Sequence, residues 1–319
     1  MAFAIMCSGG DAPGMNAVVK KFVDYLFDKG EEPYLIFDGL EGLIDDNIRK
    51  AERKDVAGIL HRGGSIIRSS RSERFFHFEY REQAYENLKK HGIEGLVVLG
   101  GDGSFRALNR FSEDFPVNFV GIPTTIDNDI YGTEYCLGVD TALNTIRDAV
   151  DKIYDTASTF NRAFVVEVMG RDCGYLAAIT AISSGAEICI IPEVASNIPM
   201  IEDKLLAEIE NGRRYILAIV AEGTGMTDEV AKWLREKMGM DTRVTILGHI
   251  QRGGVPTTFD RMMGFEFAIQ AVDHLLSCRE SNKVVVWNKG AFGLMEIEEV
   301  VENKNRVNPY HLSMLNMLD

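Results

Sequence analysis

Ala2-Phe3-Ala4-Ile5-Met6-Cys7-Ser8-Gly9-Gly10-Asp11-Ala12-Pro13-Gly14-Met15 runs from an apolar stretch through a glycine turn into the start of an amphipathic segment. The apolar stretch has the length of a strand, and the glycines after it leave backbone N–H groups at a helix N-terminus free to face an anion. Taken alone the turn is equally a structural one, because glycine serves wherever a chain needs positive φ. Working outward, the same unit recurs. Short β-branched runs at 2–7, 33–37, 96–99, 118–122, 164–168, 188–191, 216–221, 244–247 and 284–287 alternate with amphipathic stretches. That alternation predicts an α/β protein of βα units around mostly parallel sheets. Within 141–154, Ile146, Ala149, Val150 and Ile153 fall at helical spacing and form a core-facing stripe.

The bulk numbers set the class. A chain of 319 residues that is 46% hydrophobic can bury a sizeable core, and its length suggests about two domains. Its apolar stretches, such as 215–221, are strand-sized, short of the roughly 20 residues of a membrane helix, so no membrane span is expected. The N-terminus lacks the basic segment, long apolar core and cleavage site of a signal peptide, and a cytoplasmic location is expected. Five cysteines, odd in number and without a C-x-x-C pair, signal neither a disulfide framework nor a zinc site; they read as reduced, buried thiols. The charges sum to 34 − 48 = −14, which disfavours nucleic-acid and anionic-membrane binding. An anionic ligand must be held by a local group of arginines.

In parallel sheets, ligands bind beyond the carboxyl ends of the strands. Gly100-Gly101-Asp102-Gly103-Ser104 sets an acid between glycines beside a helix N-terminus, which suits magnesium bridging two phosphates. The Walker pattern is absent, and G-x-G-x-x-G fails after Gly101 and Gly103 because Arg106 holds the third position. In Thr125-Ile126-Asp127-Asn128-Asp129, two carboxylates two residues apart suit a base and a metal orienter; an isolated D-N-D is more often an Asx-turn. Arg162, Arg171, Arg243 and Arg252 each adjoin a strand or a glycine loop, where a guanidinium fork can hold phosphate. Singly, each reads as a surface charge, His249 as a structural histidine and Glu222 as a surface acid.

Together these residues resemble the bacterial-type phosphofructokinases. The series S-G-G-D-A-P-G-M-N, R-G-G, G-G-D-G-S, T-I-D-N-D, V-E-V-M-G-R and G-H-I-Q-R-G-G runs in order from Ser8 to Gly254. The resemblance implies two Rossmann-like α/β domains with mostly parallel sheets and the active site in the cleft between them. It divides them as an ATP-binding domain (1–138 plus 251–301) and a fructose 6-phosphate-binding domain (139–250 plus 302–319). The implied reaction is transfer of the γ-phosphoryl of MgATP to the 1-hydroxyl of fructose 6-phosphate. ATP would lie on Gly10, Arg71, Ser72, Gly101, Asp102, Gly103 and Ser104, with magnesium on Asp102 and Asp129. Asp127 would be the general base with Thr125 beside it, and Arg171 would stabilise the transferring phosphoryl. The sugar phosphate would contact Thr125, Ile126, Asp127, Met169, Gly170, Arg171, Glu222, His249, Ile250, Gln251 and Arg252, with Arg162 and Arg243 supplied by a neighbouring subunit of a homotetramer.

The family divides by phosphoryl donor. Pyrophosphate users typically carry Asp where this chain has Gly103 and Lys where it has Thr124, so ATP is the implied donor. Thr124, Ser72 and Ala107 depart from the glycine, phenylalanine and glycine usual in ATP enzymes, which bears on the adenine side. An effector site for ADP or phosphoenolpyruvate is matched by Lys20, Arg53, Gly185, Glu187, Arg213 and Arg214. Asp24, Tyr154 and Asn211 stand where basic residues are usual, so weakened or changed effector control is expected. The competing readings are a pyrophosphate-dependent phosphofructokinase, another kinase with a G-G-D-G turn, and a non-catalytic regulatory paralogue.

Overall fold

The computed structural model describes residues 1–194, 198–278 and 282–315, with the backbone alone at 198–201. In chain order the strands are β1 (Ala2–Ser8), β2 (Glu32–Ile36), β3 (Ile48–Lys50), β4 (Ser69–Ser70), β5 (Ile93–Gly100), β6 (Phe119–Pro123), β7 (Ala163–Val168), β8 (Ile188–Ile190), β9 (Ile216–Ala221), β10 (Thr242–Ile246), β11 (Asn282–Asn288) and β12 (Ala291–Glu296). The helices are α1 (Met15–Asp28), α2 (Gly39–Ile44), α3 (Phe78–Lys90), α4 (Asp102–Asp114), α5 (Val139–Phe160), α6 (Tyr175–Ser184), α7 (Ile198–Glu210), α8 (Thr227–Glu236), α9 (Thr258–Ser277), α10 (Ile297–Glu302) and α11 (Pro309–Leu315).

The chain divides into two compact units. The first holds Met1–Ile126, Ile130–Thr141 and Arg252–Asn305; the second holds Asp127–Asp129, Ala142–Gln251 and Arg306–Asp319. The first unit is built on a sheet ordered β12-β11-β6-β5-β1-β2-β3, with β4 paired to β1. Every pairing in it is parallel except β11 with β12 and β2 with β3. All seven residues of β1 are buried, as expected where helices cover both faces of a parallel sheet. Met15, Val18, Val19, Phe22, Val23 and Leu26 give α1 its buried stripe, and α9 packs against it. The chain goes from β1 out to β2 and returns on the other side as β5, so the turns after β1 and β5 flank the point where the strand order reverses.

One buried side chain joins two helix starts in this unit. Thr257 caps α9 by accepting from the Asp260 N–H, and the Asp260 carboxylate accepts at 2.8 Å from both Gly138 N and Thr141 N at the start of α5. The Thr141 hydroxyl donates to it as well. Burial raises the Asp260 carboxyl to about 6, against the pull of these hydrogen bonds.

The second unit has a four-stranded, all-parallel sheet ordered β10-β7-β9-β8. Val165, Ile188, Ile216, Ala218 and Val220 from its strands meet Leu205, Val230 and Leu234 from α7 and α8 in one buried cluster. Each such aliphatic side chain contributes about 1.5–3 kcal/mol by leaving water. β10, β7 and β9 are neighbours running the same way, so the loops that follow them emerge at one end of the sheet. The last segment returns to this unit, where α11 packs on α6 and Val307 N donates to Glu193, whose carboxylate also accepts from Gly174 N at the head of α6.

The nine expected strands are all present, with ends shifted by up to three residues. Three more, β3, β4 and β12, were not expected from the sequence. Among the described residues, no helix is long and apolar enough to cross a membrane.

Candidate active site

In the first unit the turn after β1 is set by Gly10. A Cβ there would lie 2.6 Å from Nη1 of Arg252, so that guanidinium rests against bare backbone. Gly63, in the Arg62-Gly63-Gly64 string, meets Gly254 in the same way: a Cβ would come within 2.5 Å of the Gly254 carbonyl oxygen. Gly63 and Gly254 therefore pack backbone to backbone, a contact that no single motif announces.

The turn after β5 opens α4. Gly101 is its N-cap and Asp102 its first residue, which puts a carboxylate at the positive end of the helix dipole. Arg106, one turn on, pairs with it at 3.0 Å. A Cβ on Gly103 would meet nothing within 4 Å. The turn after β6 lies alongside, with the Thr125 Cβ 3.8 Å from where a Gly101 Cβ would sit. Thr124 turns inward, 1% exposed, and its hydroxyl donates to the Ile122 carbonyl. Arg71 is exposed, and Ser72 accepts at 3.1 Å from Phe75 N, within the short turn Arg74–Phe76. Ser104 is buried.

In the second unit, Asp127 is 2% exposed and its Oδ2 lies 3.2 Å from Nε of the half-exposed Arg171. The loop after β7 that carries Arg171 is bent: Gly170 has φ 140° and Arg171 φ 50°, left-handed values that cost a non-glycine residue energy. Its neighbours hold the bend. Arg171 N donates to Glu222 Oε1 at 3.2 Å, Met169 N donates to Gln251 Oε1 at 3.1 Å, and Gln251 Nε2 donates to the Gly248 carbonyl at 2.9 Å. A Cβ on Gly223 would fall 1.7 Å from the Arg171 carbonyl oxygen, so only glycine lets the loops after β7 and β9 meet. His249 and Ile250 are exposed. Burial pushes the Cys173 thiol in this loop up to about 12, as it does Cys7 and Cys189, which leaves these cysteines inert.

Met169, Gly170, Arg171, Glu222 and the turn at 248–251 thus meet in one loop cluster that includes Asp127. Arg162 and Arg243 do not join it. Both sit on the Asp241 carboxylate, at 2.7 and 3.2 Å, at the other end of β7, about 20 Å away along six residues of strand.

Of the residues matched to an effector site, Lys20, Arg53 and Arg213 are paired with carboxylates of their own unit. In the first unit Lys20 pairs with Asp24 at 2.8 Å, and Arg53 with Asp24 and Asp28 at 3.4 and 2.5 Å. In the second, Arg213 contacts Glu187 and pairs with Glu208 at 2.7 Å. Burial raises the Glu187 carboxyl while the Leu217 N–H and Arg213 act against it. Gly185 ends α6 in a left-handed turn. Tyr154 bonds the Tyr215 hydroxyl at 2.7 Å, and Asn211, Arg213, Arg214 and Tyr215 line a surface hollow of about 620 Å³.

Comparison with known proteins places the chain. The phosphofructokinase family model matches residues 2–275. The ATP-dependent 6-phosphofructokinase of Sulfurovum sp. (strain NBC37-1) is 53% identical over 302 residues, 94% of this chain and 92% of that protein. That of Sulfurimonas denitrificans is 52% identical over 313 residues, 98% of each. Among solved structures, Pichia pastoris phosphofructokinase in the T-state superposes with TM-score 0.89 at 35% identity, over 94% of this chain, which spans only 35% of that longer one. A pyrophosphate-dependent phosphofructokinase from Marinobacter aquaeolei, 18% identical and covered over 91% of its length against 99% of this chain, shares the fold with TM-score 0.82. Since the family model spans most of the chain, and relatives alike at half their positions match it almost end to end, the chain belongs to the phosphofructokinase family.

Proposed function

We infer that this chain is a kinase that transfers the γ-phosphoryl of ATP to the 1-hydroxyl of fructose 6-phosphate, giving fructose 1,6-bisphosphate and ADP. The observation that carries this reading is the buried Asp127 carboxylate against Arg171, on a bent loop held from three sides. Phosphoryl transfer to a hydroxyl asks for a carboxylate to accept the proton and a cation for the spreading charge. Asp127 takes the proton from the 1-hydroxyl, and Arg171 stabilises the transferring group. Glu222, His249 and Arg252 hold the sugar phosphate, and the backbone of Met169, Gly170 and Ile250 completes its pocket. The first unit takes the nucleotide at Gly10, Arg71, Ser72 and 101–104, with Thr125 beside the reacting hydroxyl.

Magnesium fits the donors present. Asp102 keeps a partly exposed carboxylate at a helix start, a hard oxygen donor of the kind magnesium takes. Asp102 in the first unit and Asp129 in the second would be its protein ligands. When bound, it neutralises charge on the phosphates.

The choice of ATP over pyrophosphate is supported by the open space at Gly103, which leaves room for a nucleotide's α-phosphate, and by Thr124, whose buried hydroxyl stands where a donor-selecting lysine would be. The names of the relatives agree. A homotetramer is supported by Arg162 and Arg243, remote from their own chain's loop cluster, and by edge strand β10, whose Ile246 is 63% exposed. Weak effector response is supported by the carboxylates already on Lys20, Arg53 and Arg213. The test is turnover of fructose 6-phosphate with magnesium, comparing ATP and pyrophosphate as donor. ATP-driven fructose 1,6-bisphosphate is expected; pyrophosphate-driven product would assign the other donor class, and no product with either would leave a binding protein.

A further inference from the structure

We propose that Gln251 is a positioning residue for the sugar-phosphate side of the reaction, fixing the loop after β7 to the turn after β10 through its buried amide; this rests on the kinase reading above. Motif resemblance puts Gln251 in contact with the sugar, but its side chain has no surface to offer, being 0% exposed. Both ends of the amide are engaged. Oε1 accepts from Met169 N at 3.1 Å and Nε2 donates to the Gly248 carbonyl at 2.9 Å. The backbone partners dictate the orientation, since an N–H can only donate and a carbonyl only accept.

Met169 ends the run that leads into Gly170 and Arg171, and Gly248 begins the turn Gly248–Arg252 that carries His249 and Arg252. One amide therefore ties the phosphoryl-stabilising arginine to the sugar-holding turn. Glutamine suits the position because it is long enough to span the gap and is both acceptor and donor. Methionine matches its length and volume but offers no N–H, and an ionised glutamate would set an acceptor against the Gly248 carbonyl. A protonated glutamate, in contrast, restores both bonds, with its carbonyl accepting from Met169 N and its O–H donating to Gly248.

The test is steady-state kinetics of wild type, Gln251→Met and Gln251→Glu from pH 6 to 9, with each variant's constants expressed as ratios to wild type. Arg171, Glu222, His249 and Arg252 lie on the elements around this amide in all three proteins, and the uncharged Gln251→Met series shows how the ratios vary with pH when no ionisable group is added at 251. For Gln251→Met the expected result is a KM for fructose 6-phosphate raised about tenfold or more, a kcat reduced by about the same factor and a KM for ATP within about twofold of wild type. For Gln251→Glu the sugar KM should approach wild type at acid pH and rise toward the methionine value at alkaline pH, because burial favours the neutral acid. A sugar KM at the wild-type level at every pH in both variants would overturn the positioning role. A pH-independent defect shared equally by ATP and sugar would reduce Gln251 to a structural residue and overturn it too. Should Gln251→Met fail to fold, the pH ratio of Gln251→Glu decides alone. Wild type inactive on fructose 6-phosphate would instead remove the underlying kinase reading, and the proposal with it.

Discussion

Gly10 lies bare beneath the Arg252 guanidinium and Gly103 opens onto free space, whereas across the turns of the second unit Gln251, Glu222 and Asp127 fasten backbone to backbone and carboxylate to guanidinium. The two units belong to one chain and use the same βα plan, but their loops are made in different ways. Loops of the first kind are glycine turns, closed to a Cβ at Gly10 and open to one at Gly103. Loops of the second kind present charged side chains whose direction depends on a second layer of polar groups. The difference follows the chemistry each is proposed to handle. A polyphosphate is met by backbone N–H groups along its length, while a sugar hydroxyl must be met by one carboxylate at one distance.

Three substitutions test how far this contrast goes. The largest effect is expected from Asp127→Ser, which removes the base and leaves Arg171 without its 3.2 Å partner. Turnover should fall by about three orders of magnitude with the KM for fructose 6-phosphate little changed. Near-normal kcat in steady-state assays would remove Asp127 from the base role and leave the second unit's loops as binding elements only. Gly223→Ala comes next. Its Cβ would lie 1.7 Å from a backbone oxygen, which no side-chain rotation relieves, so the Arg171 loop must shift. A displacement of that size is expected to cost about a hundredfold in kcat/KM for the sugar, sparing the KM for ATP; an unchanged kcat/KM would show the loop to be adaptable and weaken the contrast.

Asp260→Asn carries the smallest effect, and it probes the first unit's exception, a helix start held by a side chain. The Asp260 carboxyl is raised from an ordinary 3.8 to about 6 by burial. A raised folded-state value means that the group's contribution to stability is fully present below about pH 4 and is lost as pH rises through about 6, a change of at most about 3 kcal/mol. Asparagine does not titrate and forgoes one acceptor, at about 1 kcal/mol. Urea unfolding at several pH values should show wild type losing stability relative to the variant between about pH 4 and pH 7. Parallel curves would mean that Asp260 titrates normally despite its burial.

The sequence made the buried parallel strands legible because β1 up to Cys7 and all of β9 are apolar, the signature of a strand covered on both faces. It hid β3, where Arg49 and Lys50 follow a single buried isoleucine, and β4, which is only Ser69-Ser70. The hairpin strand β12 is mostly exposed and reads as surface. Motif strings singled out Asp127, Arg171 and the glycine turns as candidates, because close approach and charge require particular residue types, and the structure sets Asp127 against Arg171. They did not tell which way a side chain turns. Gln251 faces inward, Ser72 accepts from Phe75 N, and Arg162 and Arg243 share Asp241. Those orientations depend on partners distant in sequence, which no local pattern contains.

The return of the C-terminal segment has a consequence for how the protein is made. The second unit is assembled from 127–129, 142–251 and 306–319, so the 54 residues of the first unit from Arg252 to Asn305 are synthesised before its last piece emerges. Until Val307 reaches Glu193 and α11 settles on α6, the head of α6 lacks part of its anchoring and one side of that helix stays open. Domains generally fold as units as the chain appears, and here the second unit gains its last segment only after the first unit's third segment has been made. The first unit, whose last segment ends at Asn305, is therefore the part whose pieces are all present first.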